Sequence, residues 1–406
     1  MKAMKKTMLG LAALLSACGA RTEIVQRPSD EVVIRVRVRD DLRPGTAPTQ
    51  EEQAPPRCEG PGPEGQPTSS LTVGHAHACV ALGNGTVRCW GSNYASQLGD
   101  GTTARRATPV EVRDVADAQT VGAGGSHSCA LLRSGRVVCW GGNTIGQIGA
   151  PTQGTLTRAP LEVTGLRGIA QLGVGRQHSC AVSARGQVSC WGANGAGQIG
   201  NRRRDMAPAP ARARGLRARW VGAGHDSSCA VRMDGGVSCW GALVRSDRPQ
   251  RIDGLPAPAV TVEVGRAAAC ARLSDGTVWC WGDGGMGTLG PEGLGQMDAP
   301  VQVVGLPPVT SLSLNDTVAC AADVQGGAWC WGSHESMARE LSEPRLRGYM
   351  GPATHVMTSG RDTACALLAE GNVCCWGDNR DGLLGALAQP FSNPGPYSEL
   401  PVPMSW

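Results

Sequence analysis

Cysteine is the residue type with the most chemistry to offer in this sequence: seventeen occur among 406 residues. A thiol can accept a lipid, bridge to a second thiol, bind a metal or attack a substrate. Fourteen of them form seven pairs, each ten residues apart. The pairs are Cys79 with Cys89, Cys129 with Cys139, Cys180 with Cys190, Cys229 with Cys239, Cys270 with Cys280, Cys320 with Cys330, and Cys365 with Cys375. No C-x-x-C occurs, and two thiols per unit fall short of the four ligands a structural zinc takes. The pairs therefore read as disulfides, with no metal and no cofactor called for. Cys374 adjoins Cys375 and so points from the opposite face of any strand they share. It cannot stand in for Cys375, which makes Cys58 with Cys374 the expected eighth bridge. His77, His127 and His178 each stand two residues before a paired cysteine and read as packed side chains, not ligands.

Cys18 is placed differently. Residues 1–18 run MKAMKKTMLGLAALLSAC, with Lys2, Lys5 and Lys6 ahead of a short apolar run that is too short to span a bilayer. Leu15-Ser16-Ala17-Cys18 resembles the cleavage site of bacterial lipoprotein signal peptides, which implies that Cys18 becomes the acylated first residue. Gly19 stands where such proteins carry the Asp that retains them at the inner membrane. The expected location is thus the bacterial cell envelope, with a lipid anchor at the outer membrane and the rest of the chain in the periplasm or on the surface. That setting favours disulfides. Of the 38 Lys plus Arg, the three lysines all lie in this leader, leaving 35 Arg against 34 Asp plus Glu. So balanced a mature chain does not announce a nucleic-acid binder.

Other chemistry is sparse. Gly282-Asp283-Gly284-Gly285-Met286-Gly287 matches G-x-G-x-x-G, but no helical pattern follows to hold a pyrophosphate. No G-x-x-x-x-G-K-[ST], G-x-S-x-G or H-E-x-x-H is present, and no catalytic residue is assigned. One charge cluster stands out: Arg202, Arg203 and Arg204, continued by Arg212, Arg214, Arg217 and Arg219 and opposed only by Asp205. It lies in loop-prone Ala-Pro sequence. It reads as a solvated rim or, more sharply, as a candidate anion-binding rim at Arg202, Arg203 and Arg204.

The elements that would position these residues repeat. Six residues after each first cysteine stands a glycine, from Gly85 to Gly371, and every second cysteine is followed by Trp-Gly, from Trp90-Gly91 to Trp376-Gly377. Copies recur every 41–51 residues, a spacing typical of propeller blades. Each unit reads as a hairpin, two short apolar runs about a glycine that supplies positive φ. Folding about that glycine sets the cysteines opposite one another at ~4.5–5.5 Å between Cα atoms, within disulfide reach. Val137 and Cys139 then share one face and Trp140 the other, so both faces are apolar, as a blade between two neighbours requires. Upstream, Glu31 to Arg39 alternates apolar and basic residues like a short basic strand, a loose arm or an edge that pairs with a partner. Pro44 to Ser70 is a Pro/Gly-rich tether. The boundaries are 1–18 signal peptide and lipobox, 19–70 tether with its strand, and 71–406 propeller.

Trp140-Gly141-Gly142-Asn143-Thr144-Ile145-Gly146-Gln147-Ile148-Gly149 resembles the signature of the regulator of chromosome condensation repeat family. Trp90 to Gly99 and Trp191 to Gly200 do so too, and Trp281 to Gly290 and Trp376 to Gly385 in part. The elements after Trp240 and Trp331 lack the Asn and Gln-Leu-Gly positions. This resemblance implies an all-β, seven-bladed β-propeller, here with hairpin disulfides inside each blade. Pro-led strands precede the later hairpins, as at Pro109 to Val112, Pro160 to Val163 and Pro300 to Val303. The first hairpin lacks one, so Pro401 to Met404 is expected to join the blade begun at Leu71 and close the ring.

The resemblance also frames function. Family members include a secreted β-lactamase inhibitor, a nuclear guanine-nucleotide exchange factor and a plant UV-B receptor that uses exposed Trp clusters. The expected function is an envelope-anchored scaffold for an unknown protein or anionic ligand, touching the membrane only through its lipid. The alternatives are a propeller enzyme, a hydrolase or lyase on an envelope or extracellular polymer, and nucleotide exchange by family name only.

Overall fold

The computed structural model describes residues 21–26, 32–37, 58, 68–150, 155–332, 343–347, 351–360, 362–385, 397–404 and 406. The leader with Cys18 and most of the tether lie outside the described residues. The chain divides into two units, Met1–Ala54 and Pro55–Trp406. In the first, Arg21–Gln26 pairs antiparallel with Val32–Arg37, Ile24 opposite Ile34. The alternating basic segment thus finds its partner within its own chain.

The second unit is all β. Its described residues form seven blades of four antiparallel strands. Blade one is Thr68–Val73, His77–Leu82, Val87–Gly91 and Arg106–Glu111, in that order from the axis outward. Blades two to seven start from Ala118, Ile169, Ala218, Ala259, Val309 and Ala353. Between blades three and four one continuous strand, Ala207–Ala223, serves as outer strand of the first and inner strand of the second. Among the described residues the outer strand of blade six is Arg345–Leu346.

The Pro-led strands do not open the blades they precede. Arg106–Glu111, which contains Pro109, pairs backwards onto Val87–Gly91. The terminal Tyr397–Pro403 likewise pairs with Val373–Asp378 of blade seven and not with the first blade. Blade one is complete from Thr68 onward, so no shared blade closes the ring. The short reach of the connections favours pairing with the strand just passed.

Closure is by packing. Within each blade the second and third strands set the ten-spaced cysteines opposite each other, with Cα atoms 4.0–4.1 Å apart. In chain order the bridges join Cys79 to Cys89, Cys129 to Cys139, Cys180 to Cys190 and Cys229 to Cys239. The last three join Cys270 to Cys280, Cys320 to Cys330 and Cys365 to Cys375. Every bridge expected from the spacing is present. Alternation sends cysteines and valines to one face and the tryptophan to the other. Cys79, Val87 and Cys89 of blade one pack on Ala118, Leu132 and Trp140 of blade two. Likewise Cys180 and Cys190 pack on Trp240, Cys229 and Cys239 on Trp281, and Cys270 and Cys280 on Trp331. Cys320 and Cys330 meet Trp376, and the ring ends with Cys365, Val373 and Cys375 of blade seven against Leu71, Val80 and Trp90 of blade one. Trp90 Nε1 donates to Leu383 O at 3.0 Å across that last seam. Cys58 is bonded to Cys374 on the opposite face, beside blade six.

Where the inner strands end, adjacent blades approach closely at glycines. A Cβ on Gly74, Gly124, Gly175 or Gly224 would stand 2.4–2.5 Å from a carbonyl oxygen of the next blade, so glycine is imposed by the close approach of backbones. Removing residues 397–406 strips the outer strand from blade seven together with Met404, which is buried in the closing seam. Loss of the methionine alone costs about 2–5 kcal/mol. The truncated protein is expected to melt well below the intact one and to lose hydrogen-exchange protection first at Val373–Asp378. Loss confined to Val87–Gly91 would instead place the terminal strand on blade one.

Candidate functional site

The recurring polar residues of the repeat hold blade to blade. His77, His127 and His178 are fully buried. Their Nε2 atoms lie 2.8 Å from Ser128, Ser179 and Ser228 Oγ, each in the following blade. Ser128 and Ser228 donate to the carbonyls of Gln97 and Gln198, so their lone pairs are left to accept from histidine Nε2–H. The buried Nδ1 atoms of all three rings have no partner in the protein, which favours the neutral form. Burial lowers their pKa values to about 3, 3 and 4. Where a blade lacks the histidine, at Ser227, Ala268, Val318 and Thr363, the next blade carries alanine in place of the serine, at Ala269, Ala319, Ala364 and Ala78. The pair is thus set by mutual satisfaction of buried groups, a signal that lies in the sequence once adjacent repeats are compared. Each of these histidines is structural.

The central channel breaks the repeat in a different way. Thr72, Gly122, Gly173, Gly222, Glu263, Ser313 and Met357 share one register, each opposite the first cysteine of its blade. They line a cavity of about 400 Å³ in which Glu263 is the one carboxylate among the lining residues. Burial pushes its pKa up to about 8, with the Trp220 indole pulling the other way. At the other end the channel narrows to about 100 Å³. There Arg176 Nη1 donates to His225 Nε2 at 2.6 Å and stands 3.9 Å from Asp316 Oδ2, while His225 Nδ1–H donates to Asp226 Oδ2 at 2.7 Å. These residues come from blades three, four and six, so one mouth is bridged and the other is open.

The arginine cluster is divided. Arg202, Arg203 and Arg204 are exposed on the loop that leaves Gly192, where Asn194 Nδ2 donates to Arg203 O at 2.8 Å. The strand that follows carries the chain to the opposite rim, pairing Ser189 with Arg212 and Gln187 with Arg217. There Arg212, Arg214 and Arg217 meet Arg185 from the hairpin turn in a groove of about 660 Å³. Arg219 turns away to donate to Ala259 O. The segment Gly282 to Gly287 forms a strand end and turn with no helix after it. Among the described residues no three His, Cys, Asp or Glu converge as metal ligands.

Models of the regulator of chromosome condensation (RCC1) repeat match residues 69–97, 119–147, 169–198, 259–288 and 357–383, and a further model of that repeat matches 84–131. The fold is similar to that of human WBSCR16, at 20% identity and TM-score 0.65 over 72% of this chain and 84% of that one. It is also similar to Prp20p of Saccharomyces cerevisiae, at 19% identity and TM-score 0.62 over 71% and 80%. The segments that match are regulator of chromosome condensation repeats.

The family signature now has a physical meaning. In the RCC1 repeat the Asn Oδ1 accepts the backbone N–H five residues on, at 3.0 Å from Leu98 N to Asn93 and from Ile199 N to Asn194. The loop so formed aims the Gln97, Gln147 and Gln198 carbonyls at Trp140, Trp191 and Trp240 Nε1 of the next blade. Thr288 O does the same for Trp331 at 2.9 Å. Blade four has no such loop: Gly241 leads into a short 3₁₀ turn, Ala242–Val244. Trp281, which faces it, keeps a buried Nε1 with no partner.

Trp331→Phe should therefore cost about 1 kcal/mol more than Trp281→Phe, the net worth of one hydrogen bond, in denaturant titrations of the two variants. Equal losses would deny the loop its role. The histidines and Glu263 act on stability in opposite senses. Unfolding frees histidines to take up protons, so their contribution is lost as pH falls from about 6.5 towards 3–4. Glu263 is held protonated by the fold, so its contribution is lost as pH rises from 4.5 through about 8. His127→Gln should flatten the acid limb of stability against pH and Glu263→Gln the alkaline one. A variant that leaves its limb unchanged contradicts the assignment for that residue.

Proposed function

We propose that this chain is a lipid-anchored binding protein of the bacterial cell envelope, whose propeller is a rigid scaffold for a protein or an anionic ligand. The observation that carries this reading is cysteine usage. Sixteen of the seventeen cysteines are bonded to one another, which leaves Cys18, the one set in a lipobox, as the single thiol over. A disulfide in every blade suits an oxidising compartment. A short tether after Cys18 would hold the ring off the bilayer.

The scaffold role is supported by where the repeats differ. The packing of disulfide on tryptophan recurs round the ring, while charge and loop length vary on the rims and in the channel, where a partner can reach them. Among the structural neighbours, yeast Prp20 has been solved bound to Kap60, and the study of Prp20p describes binding to Gsp1p and histones. Those partners belong to that protein. The use of a similar propeller in recognition supports the scaffold reading.

Metabolic labelling with an alkyne-tagged palmitate, followed by membrane fractionation, tests the anchor. The chain should carry label and sediment with membranes, and Cys18→Ala should abolish both. A protein that stays unlabelled, or a variant that still sediments with label, rejects the anchor. Capture of a stoichiometric partner from outer-membrane extracts supports the scaffold. Turnover of an envelope polysaccharide by the purified ring, with no partner, would replace it with an enzyme.

A further inference from the structure

We infer that the groove formed by Arg185, Arg212, Arg214 and Arg217 on the turn-side rim of blade three binds a compact, multiply phosphorylated anion. Such a site rests on the scaffold reading but not on the lipid anchor. It moves the anion site away from Arg202 to Arg204, to the other end of the same blade.

Charge points there first. Residues 163–217 contain nine arginines and one acid, Asp205, in a mature chain that is otherwise acidic on balance. Blade three also reverses charge at two equivalent positions of the repeat. The residue opposite the one before the second cysteine is Glu111 in blade one and Glu162 in blade two, but Arg212 in blade three; blade four has Arg251 there, which Asp234 meets. The residue before the turn glycine is Asp234, Asp275 or Glu370 in blades four, five and seven, but Arg185 here. Both reversals face the same groove.

Pairing differs as well. At the neighbouring rims Arg133 and Arg136 meet Asp117 and Glu162, and Arg232 and Arg251 meet Asp234. In the groove the contacts are to neutral acceptors: Arg212 Nη2 donates to Gln187 Oε1 and Arg217 Nη2 to Arg185 O, both at 2.6 Å. Those bonds orient two guanidinium groups without neutralising them. All four arginines are exposed, over a floor of buried Val188, Ala213 and Leu216. Guanidinium forks match phosphate oxygens two at a time. A groove of about 660 Å³ is sized for a headgroup or a small polyphosphate, within the usual span of small-ligand sites, and not for a polymer track.

Isothermal titration of the full chain in detergent with inositol hexakisphosphate tests the site. Binding should weaken steeply with salt. Replacing Arg185, Arg212, Arg214 and Arg217 with Gln should lower affinity by more than about tenfold, since charged hydrogen bonds are lost. Replacing Arg202, Arg203 and Arg204 with Gln should change it little, with the melting temperature of both variants held to show an intact fold. Flotation with phosphatidylcholine vesicles, with and without lipid A, separates the sources: co-flotation specific to lipid A and lost in the groove variant names a lipid headgroup, and binding of the soluble probe alone names a free phosphate. No binding of the hexakisphosphate, salt-independent binding, equal loss in both variants, or tighter binding of a DNA duplex through both rims would overturn the groove. An envelope partner still captured by the groove variant would leave the scaffold reading standing.

Discussion

Each blade of this ring presents two apolar faces and can bury neither alone. The interaction on which the structure depends is the meeting of one blade's disulfide face with the next blade's tryptophan. A bridged cysteine pair is flat and apolar, and beside it a valine and a small residue leave space for an indole. With one Phe and three Tyr in the whole sequence, tryptophan supplies nearly all the aromatic bulk of the core. Each bridge closes a short loop and restricts the unfolded chain by ~2–3 kcal/mol, so the same residues both fill the seam and raise the free energy of the unfolded state.

That seam also explains the polar part of the repeat. An indole buried on one edge needs an acceptor for its N–H. The Asn and Gln-Leu-Gly loop of the preceding blade provides it, and the His–Ser contact closes the same seam nearer the axis. The signature of the family is thus a description of an interface rather than of a site. Blade four, which replaces the loop with a short turn, leaves Trp281 Nε1 unpaired. Differences between repeats are found instead away from the seam, at Glu263 in the channel and at Arg185 and Arg212 on the rim.

Much of this is legible in the sequence, and the failures are informative. The ten-residue spacing from Cys180 to Cys190 or from Cys320 to Cys330, the turn glycines and the Trp-Gly pairs define the hairpin, because every step of it is local. Blade boundaries are not legible. A strand such as Arg106–Glu111 lies between two hairpins, and its alternation is the same whether it pairs backwards or forwards; only the short connection and its packing decide. For that reason the sequence points Tyr397–Pro403 to the wrong blade. The arginines mislead for a related reason. Arg202 and Arg217 are close in sequence, but the strand between them runs the height of the blade and delivers them to opposite rims. The His–Ser pairing is readable from its alternation with alanine, but only when neighbouring repeats are compared by position across the seam.

The ring is built of individually bridged hairpins, with the segment before blade one tied to blade seven. Peptide mapping by mass spectrometry under non-reducing conditions tests it most directly. Six bridges between cysteines ten apart, and a further species in which the peptide holding Cys374 and Cys375 is linked both to Cys58 and to Cys365, are the predicted result. Free thiols at the ten-spaced cysteines, or bridges running from one blade to another, would contradict it.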